Sequence, residues 1–110
     1  SFMIISGGVN IYPQEIQNLL ITHPDVEDVA VIGAPDEEMG ERVVAIVQPR
    51  IGVVASPELG EALRRFVREA LGGVKCPQQF DFRAELPREP TGKLMKRLLK
   101  AEYEGMQPRP

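Results

Sequence analysis

The amino-acid sequence predicts an α+β fold, in which a small, mostly antiparallel sheet with an N-terminal β-hairpin packs against about three helices. Two β-branched apolar runs, residues 28–35 and 42–49, predict antiparallel neighbours because only a short polar connection joins them. Residues 57–71 repeat apolar side chains at three- and four-residue spacing, which predicts an amphipathic helix. Helices packed on such a sheet are typical of α+β domains.

The hairpin and the first helix are predicted from the placement of glycine and proline. The run FMII at residues 2–5 is predicted to be a strand, a double glycine turns the chain, and VNIY at residues 9–12 returns beside it. Pro13 suits the first turn of a helix, because its missing N–H is not needed there. This helix is expected to end before Pro24, since the residue preceding a proline avoids the helical region. Its apolar stripe consists of Ile16, Leu19 and Leu20.

The second half of the chain is predicted to be a helix, a strand and a last helix. Ser56 is a candidate N-cap with proline at the next position, and Gly72 with its following glycine closes that helix. QFDFRAEL at residues 79–86 alternates apolar and polar positions, which predicts a half-buried strand. Residues 94–103 are predicted to form a basic amphipathic helix. Its inward positions are expected to be Leu94, Leu98 and Leu99.

Length and composition limit the class of protein. The 110 residues suit one domain, expected over residues 1–105 with a frayed tail at 106–110. No apolar run approaches the ~20 residues of a membrane span, and no signal-peptide pattern is present. The lone cysteine, Cys76, fits a reducing compartment, so a cytoplasmic location is expected. His23 and Cys76 have no ligand partners at useful spacing, so no metal site is predicted.

Charge is distributed unevenly along the chain. Residues 87–103 carry five basic and two acidic side chains, whereas residues 1–86 carry seven basic and thirteen acidic ones. A basic segment on an acidic body indicates an anionic ligand or an acidic partner, although a solvated helix face explains it equally well. The net charge of −3 and the absence of interleaved aromatic residues argue against nucleic-acid binding.

Two glycine-containing loops are the candidates for chemistry. In LPREPTGKLMKRLL, two prolines and a glycine precede Lys93, whose ammonium could be held toward a phosphate or carboxylate oxygen. The alternative is a turn that caps the last helix and leaves the lysine merely exposed. In SGGVNIYPQEI, Gly7 and Gly8 provide either a hairpin turn with positive φ or a close backbone approach to a ligand. Spacing alone does not separate these interpretations.

Together the two loops resemble the C-terminal domain of the adenylate-forming enzymes, the acyl-CoA synthetase family. The segments between them, HPDVEDVAVIGAPDEEMGERVVAIV and VKCPQQFDFRAELPREPTGK, are similar to the same domain. The resemblance extends over about residues 1–103, and NIYPQEI is closer to acyl-CoA ligases than to the amino-acid-activating domains of peptide synthetases. It implies a small mobile lid that follows a large N-terminal domain, which is absent from this chain.

The resemblance implies a role for each loop in an ATP-dependent ligase. Lys93 would be the catalytic lysine of adenylation, presented by Thr91 and Gly92. The lid would then rotate and place a second surface on the thioester side, beside coenzyme A. That surface would comprise Ser6, Gly7, Gly8, Val9 and Asn10. ATP and coenzyme A would be used by the full-length enzyme, and Mg²⁺ would be bound there but not by this domain.

The implied partners are the N-terminal domain of the same enzyme and a carboxylic acid, in particular a fatty acid. Alone, the 110 residues are expected to have no turnover. The family usually has an Asp or Lys hinge where this chain has Phe2, so Phe2 is not assigned as the hinge. Three alternatives remain: a lid that serves a carrier protein instead of coenzyme A, a binding module that uses the basic helix, and a scaffold domain without chemistry.

Overall fold

The computed structural model describes residues 3–105 of the chain, with five strands and three helices in the predicted order. Phe2 and the predicted tail at 106–110 lie outside the described residues. The strands and helices are β1 (Ile4–Ser6), β2 (Val9–Ile11), α1 (Pro13–Leu20), β3 (Val26–Asp36), β4 (Gly40–Pro49), α2 (Pro57–Leu71), β5 (Gln79–Phe82) and α3 (Lys96–Glu104). The predicted α+β class is therefore confirmed.

The sheet is organised around the antiparallel ribbon of β3 and β4. These strands pair along their whole length, from Val26 opposite Pro49 to Asp36 opposite Gly40. β1 joins the other edge of β4 at Ser6 and carries β2 as an antiparallel hairpin partner. β5 pairs with β4 in parallel, because α2 carries the chain across before β5 begins. The sheet is thus mostly antiparallel, as predicted.

Helices cover both faces of the ribbon and create three layers. Alternate residues of β3 and β4 point to opposite faces, so the two strands are buried throughout their centres. One face packs against α1 and α2, and the other packs against α3 and the segment that precedes it. The first cluster includes Ile16, Leu20, Val29, Val31, Leu63 and Val67. The second includes Ala30, Ile32, Val44, Ile46, Leu86, Leu99 and Tyr103.

The capping residues predicted for α2 occupy their expected places. The Ser56 hydroxyl accepts a hydrogen bond from the Leu59 N–H at 3.1 Å, and proline occupies the first helical position. Gly72 ends the helix with a φ of 87°, which glycine adopts without a steric penalty. The ends of this helix were therefore readable from local chemistry alone.

Several element boundaries differ from the prediction, and β3 and β4 are each longer than predicted. β1 begins at Ile4 rather than at residue 2, and β5 ends at Phe82 rather than at residue 86. α3 begins at Lys96, because Leu94 is held in an antiparallel bridge with Arg88 instead. These shifts change the ends of the elements beside the two glycine-containing loops by only a few residues.

The inward face of α3 also differs from the prediction. Leu99 and Tyr103, four residues apart, are buried on one stripe, as one helical turn requires. Leu98 lies about 100° away from Leu99 around the helix axis and is 52% exposed. The expectation that Leu98 points inward was therefore wrong, and Tyr103 takes that part in the core.

Candidate functional site

The lysine loop, defined as residues 87–95, is a tight hairpin that presents Lys93 directly after its turn. Gly92 N–H donates to the Glu89 carbonyl at 2.7 Å, which closes a four-residue turn with Pro90 in its second position. Glu89 N–H donates to the Lys93 carbonyl at 2.8 Å, and Met95 N–H donates to the Pro87 carbonyl at 2.9 Å. Three backbone hydrogen bonds therefore fix the path of the loop on both sides of Lys93.

The residues PTG suit this hairpin for steric reasons. Proline sets φ near −65° at the second turn position, and Gly92 has a φ of 92°, a conformation that L side chains rarely adopt. A turn followed by a glycine with positive φ is the usual form of a three-residue hairpin loop. The Pro-Thr-Gly turn does not cap α3, because the N-cap is Met95, at the end of the loop, and it makes no side-chain hydrogen bond. The turn interpretation therefore holds, but its capping part was wrong.

Arg88 joins the lysine loop to the sheet. Its Nε and Nη2 donate to the two carboxylate oxygens of Asp28 at 2.8 and 2.7 Å. Its Nη1 donates to the carbonyl of Gly92, the residue immediately before Lys93. Asp28 lies in β3, and its side chain is only 18% exposed. One guanidinium thus links the tip of the loop to the ribbon.

An open depression of about 570 Å³ lies beside the lysine loop and the first turn of α3. It is lined by Glu89, Lys93, Leu94, Met95, Lys96 and Arg97. Lys93 is exposed at its edge. Burial, with a smaller contribution from the charge of Lys100, lowers the pKa of Lys96 to about 8. The exposed positive charges here are therefore Lys93 and Arg97, whereas Lys96 is partly withdrawn from water.

The glycine hairpin, defined as Ser6–Asn10, turns between β1 and β2 through two glycines with positive φ. Gly7 has a φ of 57° and Gly8 a φ of 80°. The Gly7 N–H donates to the Met39 carbonyl at 2.9 Å, and a Cβ on Gly7 would lie 2.7 Å from Met39 Cε. A Cβ on Gly8 would meet nothing within 4 Å. Gly7 is thus favoured by its positive φ, and a side chain there would displace only the flexible end of Met39, whereas Gly8 faces open space.

The other members of the glycine hairpin differ in exposure. Ser6 is 4% exposed, and its hydroxyl has no hydrogen-bond partner among the described residues. Val9 is 40% exposed and Asn10 is exposed. The surface that this hairpin presents is therefore formed by the two glycines, Val9 and Asn10, while the side chain of Ser6 faces the interior.

Glu41 connects β1, the strand that leads into the glycine hairpin, to the helix that follows Lys93. Its Oε1 accepts a hydrogen bond from the Ile5 N–H at 2.9 Å, and its Oε2 lies 3.7 Å from Lys100 Nζ in α3. A Cβ on Gly33 would lie 2.5 Å from that Oε2. The absence of a side chain at Gly33 therefore makes the space in which this carboxylate sits.

The candidate residues form two groups that are anchored toward opposite ends of the β3–β4 ribbon. The lysine loop is held at Asp28, near the start of the strand, and the glycine hairpin is held by Met39, just beyond the strand's end at Asp36. Along β3, Asp28 and Asp36 are separated by about 26 Å, at roughly 3.3 Å per strand residue. The sheet thus does not merge Lys93 and the glycines into one cluster.

Residues 3–105 contain neither a metal-ligand cluster nor a membrane-spanning helix. No group of three or more His, Cys, Asp or Glu side chains in this part of the chain is arranged to hold a metal ion. No helix within the same residues is long and apolar enough to cross a membrane. His23 instead packs edge-on against Phe66, with ring centroids 4.9 Å apart.

Sequence reasoning missed the residues that hold the two loops in place. Arg88 was counted only as part of the basic segment, and Asp28 only as the start of a strand. Gly33 did carry a signal, because an isolated glycine inside a β-branched strand often marks a close approach by another group. Nothing in the sequence pattern identified Glu41 as that group.

Comparison with known proteins identifies the family to which the chain belongs. Residues 15–93 match the family model of the AMP-binding enzyme C-terminal domain. The chain therefore belongs to this family, the C-terminal domains of adenylate-forming enzymes, and the expected resemblance is confirmed.

Individual relatives are acid–thiol ligases. The long-chain-fatty-acid–CoA ligase FadD13 of Mycobacterium tuberculosis is 40% identical over 97% of this chain and 20% of its own length. The fatty acid–[acyl-carrier-protein] ligase ScoC of Streptomyces coeruleorubidus is 39% identical over 93% of this chain and 19% of its own. The crystal structure of Brucella canis acyl-CoA synthetase superimposes with a TM-score of 0.88, at 39% identity over 92% of this chain and 19% of that one. The chain thus spans about one fifth of the length of the relatives it matches.

Proposed function

We propose that this chain is the mobile C-terminal lid of an ATP-dependent acyl-CoA ligase. The full enzyme would convert a carboxylic acid, ATP and coenzyme A into acyl-CoA, AMP and pyrophosphate. The observation that carries the proposal is the presentation of Lys93, which is exposed beside the turn of a hydrogen-bonded hairpin and directly follows a glycine with positive φ. A cation held in this way is suited to a reaction in which negative charge shifts between oxygens.

Lys93 would act in the first half-reaction. An oxygen of the acid's carboxylate attacks the α-phosphorus of ATP, a P–O bond forms, and pyrophosphate leaves with the electron pair of the broken bond. Negative charge develops on the non-bridging oxygens of the α-phosphate during this step. The ammonium of Lys93 would stabilise that charge, and such interactions commonly contribute about 10²–10³ in rate.

The glycine hairpin would act in the second half-reaction, after rotation of the lid. The thiol of coenzyme A loses its proton to solvent, and the sulfur attacks the acyl carbon of the acyl-adenylate. A C–S bond forms, the bond between the acyl carbon and the phosphate oxygen breaks, and AMP leaves with that electron pair. Gly8 supports this assignment, because a Cβ there would meet nothing within 4 Å and a thin pantetheine chain could pass along the bare backbone. Gly7, Val9 and Asn10 would line the same passage, with Ser6 contributing only its backbone.

The remaining assignments follow from the family. The lid would work against the N-terminal domain of the same enzyme, which would bind ATP, its accompanying Mg²⁺ and the acid. We assign a fatty acid as substrate and the cytoplasm as location. A carrier protein is the second candidate acceptor, because ScoC, whose name gives that acceptor, is nearly as similar to this chain as FadD13.

The lysine assignment is tested by Lys93→Ala in the full-length ligase. We expect adenylation, followed as pyrophosphate release, to fall about 10²- to 10³-fold, while thioester formation from supplied acyl-adenylate stays within about two-fold. Lys75→Ala is the matched control, since Lys75 is a surface lysine paired with Glu15 outside both loops. Equal losses in the two half-reactions would contradict the assigned role.

The hairpin assignment is tested by Gly8→Leu in the same enzyme. The added side chain would project into the space that is open in this structure, so we expect thioester formation to fall while adenylation is retained. Gly52→Leu is the control for strain, because Gly52 also has positive φ and open space around its Cβ position. The 110-residue chain alone is expected to form no acyl-CoA, because the N-terminal domain would supply the rest of the active site. Measurable turnover by the isolated chain would contradict this expectation.

A further inference from the structure

We propose that Arg88 is a positioning residue for Lys93, and that Asp28 is the anchor through which it acts. The inference rests on the proposed function of Lys93 in adenylation. Arg88 contacts both the tip of the lysine loop, at the Gly92 carbonyl, and the sheet, at the Asp28 carboxylate. The guanidinium therefore ties the turn that precedes Lys93 directly to the sheet.

The anchor is built more firmly than an ordinary surface ion pair. Arg88 uses two nitrogens on two carboxylate oxygens, at 2.8 and 2.7 Å, which fixes orientation as well as separation. Asp28 is itself held, because its Oδ1 accepts a hydrogen bond from the Val29 N–H at 2.9 Å and its side chain is only 18% exposed. The hydrogen bonds to Asp28 also raise the pKa of Arg88, so the guanidinium stays charged.

The lysine loop does not need Arg88 for its internal shape. The Glu89–Gly92 turn and the two backbone hydrogen bonds at the base close the hairpin without any side chain. Beside the packing of Leu94 on the second core cluster, Arg88 adds a polar connection between the turn and β3, across 60 residues of chain. Loss of Arg88 would therefore leave the turn formed but able to move relative to β3. The ammonium of Lys93 would then no longer be held in one orientation.

A pivoting lysine predicts a selective kinetic defect. Misplacing a catalytic group by about 1 Å can cost roughly 10²-fold in rate, so we expect Arg88→Ala to lower kcat for adenylation about 10- to 100-fold. Binding of ATP relies on the N-terminal domain in the proposed enzyme, so the KM for ATP should change little. Thioester formation from supplied acyl-adenylate should be spared, because that step uses the glycine hairpin.

The experiment measures both half-reactions in the full-length ligase for Arg88→Ala, Asp28→Asn and the double variant. Because the two residues act through one contact, we expect each single variant to show the adenylation defect and the double variant to be no worse. Arg88→Lys should restore only part of the rate, since an ammonium cannot form the two-pronged contact. Arg65→Ala is the matched control, because Arg65 is an exposed arginine of α2 outside both loops.

Each outcome separates the inference from the proposed function. Lys93→Ala is measured alongside, and an unaffected adenylation rate in that variant would refute the role of Lys93 itself. A strong Lys93→Ala defect with normal adenylation in Arg88→Ala would refute only the positioning role. An equal fall of both half-reactions in Arg88→Ala, accompanied by a lower melting temperature, would show that Arg88 merely stabilises the fold and would also overturn the inference.

Discussion

Substitution of Gly33 by alanine is expected to destabilise the chain by displacing the carboxylate of Glu41. The φ of Gly33 is not positive, so the backbone itself would accept a side chain. However, an added Cβ would lie 2.5 Å from Glu41 Oε2 and 2.9 Å from Glu41 Cδ, which is too close for real atoms. The Glu41 side chain is flexible and part-exposed, so it would swing away rather than force the sheet apart. Its contacts with Ile5 and Lys100 would then be lost.

The size of the effect follows from those lost contacts. A hydrogen bond to a charged acceptor contributes about 1.5–3 kcal/mol, and the low end applies because water can reach the Ile5 N–H, whose bond to Glu41 is exposed. The ion pair to Lys100, with side chains 27% and 31% exposed, adds about 0.5 kcal/mol. Replacing a glycine inside a strand by alanine stabilises the folded chain by roughly 0.5–1 kcal/mol, which offsets part of this loss. The net expectation is a loss of about 1–1.5 kcal/mol in the free energy of unfolding.

Urea unfolding of Gly33→Ala, Glu41→Ala and the double variant measures this coupling. Glu41→Ala alone should cost about 2 kcal/mol, because it removes the same hydrogen bond and ion pair. In the Gly33→Ala background the same change should cost little, since the carboxylate has already left its place. Glu37→Ala is the control, because Glu37 is exposed in the turn between β3 and β4. Additive effects, or a Gly33→Ala chain as stable as the original, would refute the reasoning.

Two further predictions concern the helices. Ser56→Ala removes the cap of α2 and should lower the free energy of unfolding by about 1 kcal/mol, whereas Ser56→Gly should lower it by only a few tenths; equal losses in a urea titration would contradict the cap. The pKa of Lys96 is about 8 in the folded chain, below its ordinary value of 10.5. Between these two pH values the unfolded chain binds more protons than the folded chain, so the free energy of unfolding should rise as the pH increases from 8 to 10.5. Lys96→Met should flatten this rise and, after allowance for solvent screening, stabilise the chain by about 1 kcal/mol at pH 7. Identical slopes for the two chains between pH 8 and 10 would contradict the pKa shift.

Elements whose signals are local were predicted well from the sequence. The β3–β4 ribbon follows from two β-branched runs, and α2 follows from Ser56, its periodic leucines and Gly72. Boundaries set by tertiary contacts were predicted less well. The start of α3 shifted because Leu94 pairs with Arg88, and Leu98 turned outward because Tyr103 supplies the buried position. The first depends on a contact outside the helix and cannot be read from hydrophobic periodicity. The second was readable, because Leu99 and Tyr103 have the spacing of one helical turn.

The candidate site shows the same division. Lys93 and the glycine hairpin were found because their loops resemble a known family, and the turn around Gly92 was readable from proline and glycine alone. The roles of Asp28, Arg88 and Glu41 were not readable. A charged side chain in a strand or loop has many possible partners, and the contacts of Arg88 with Asp28 and of Glu41 with Ile5 extend over 60 and 36 residues of chain.

The β3–β4 ribbon has a consequence for the order in which the molecule assembles and opens. Its pairings surround a turn of a few residues, so they form with little loop-closure entropy, whereas Glu41 must reach Ile5 and Arg88 must reach Asp28 over much longer segments. The ribbon can therefore nucleate folding, and the two chain ends attach to it afterwards. In the folded state the same hierarchy allows either end to open locally while the ribbon stays paired. Amide protons of β1 and of the lysine loop should accordingly exchange with solvent well before those at the centre of β4.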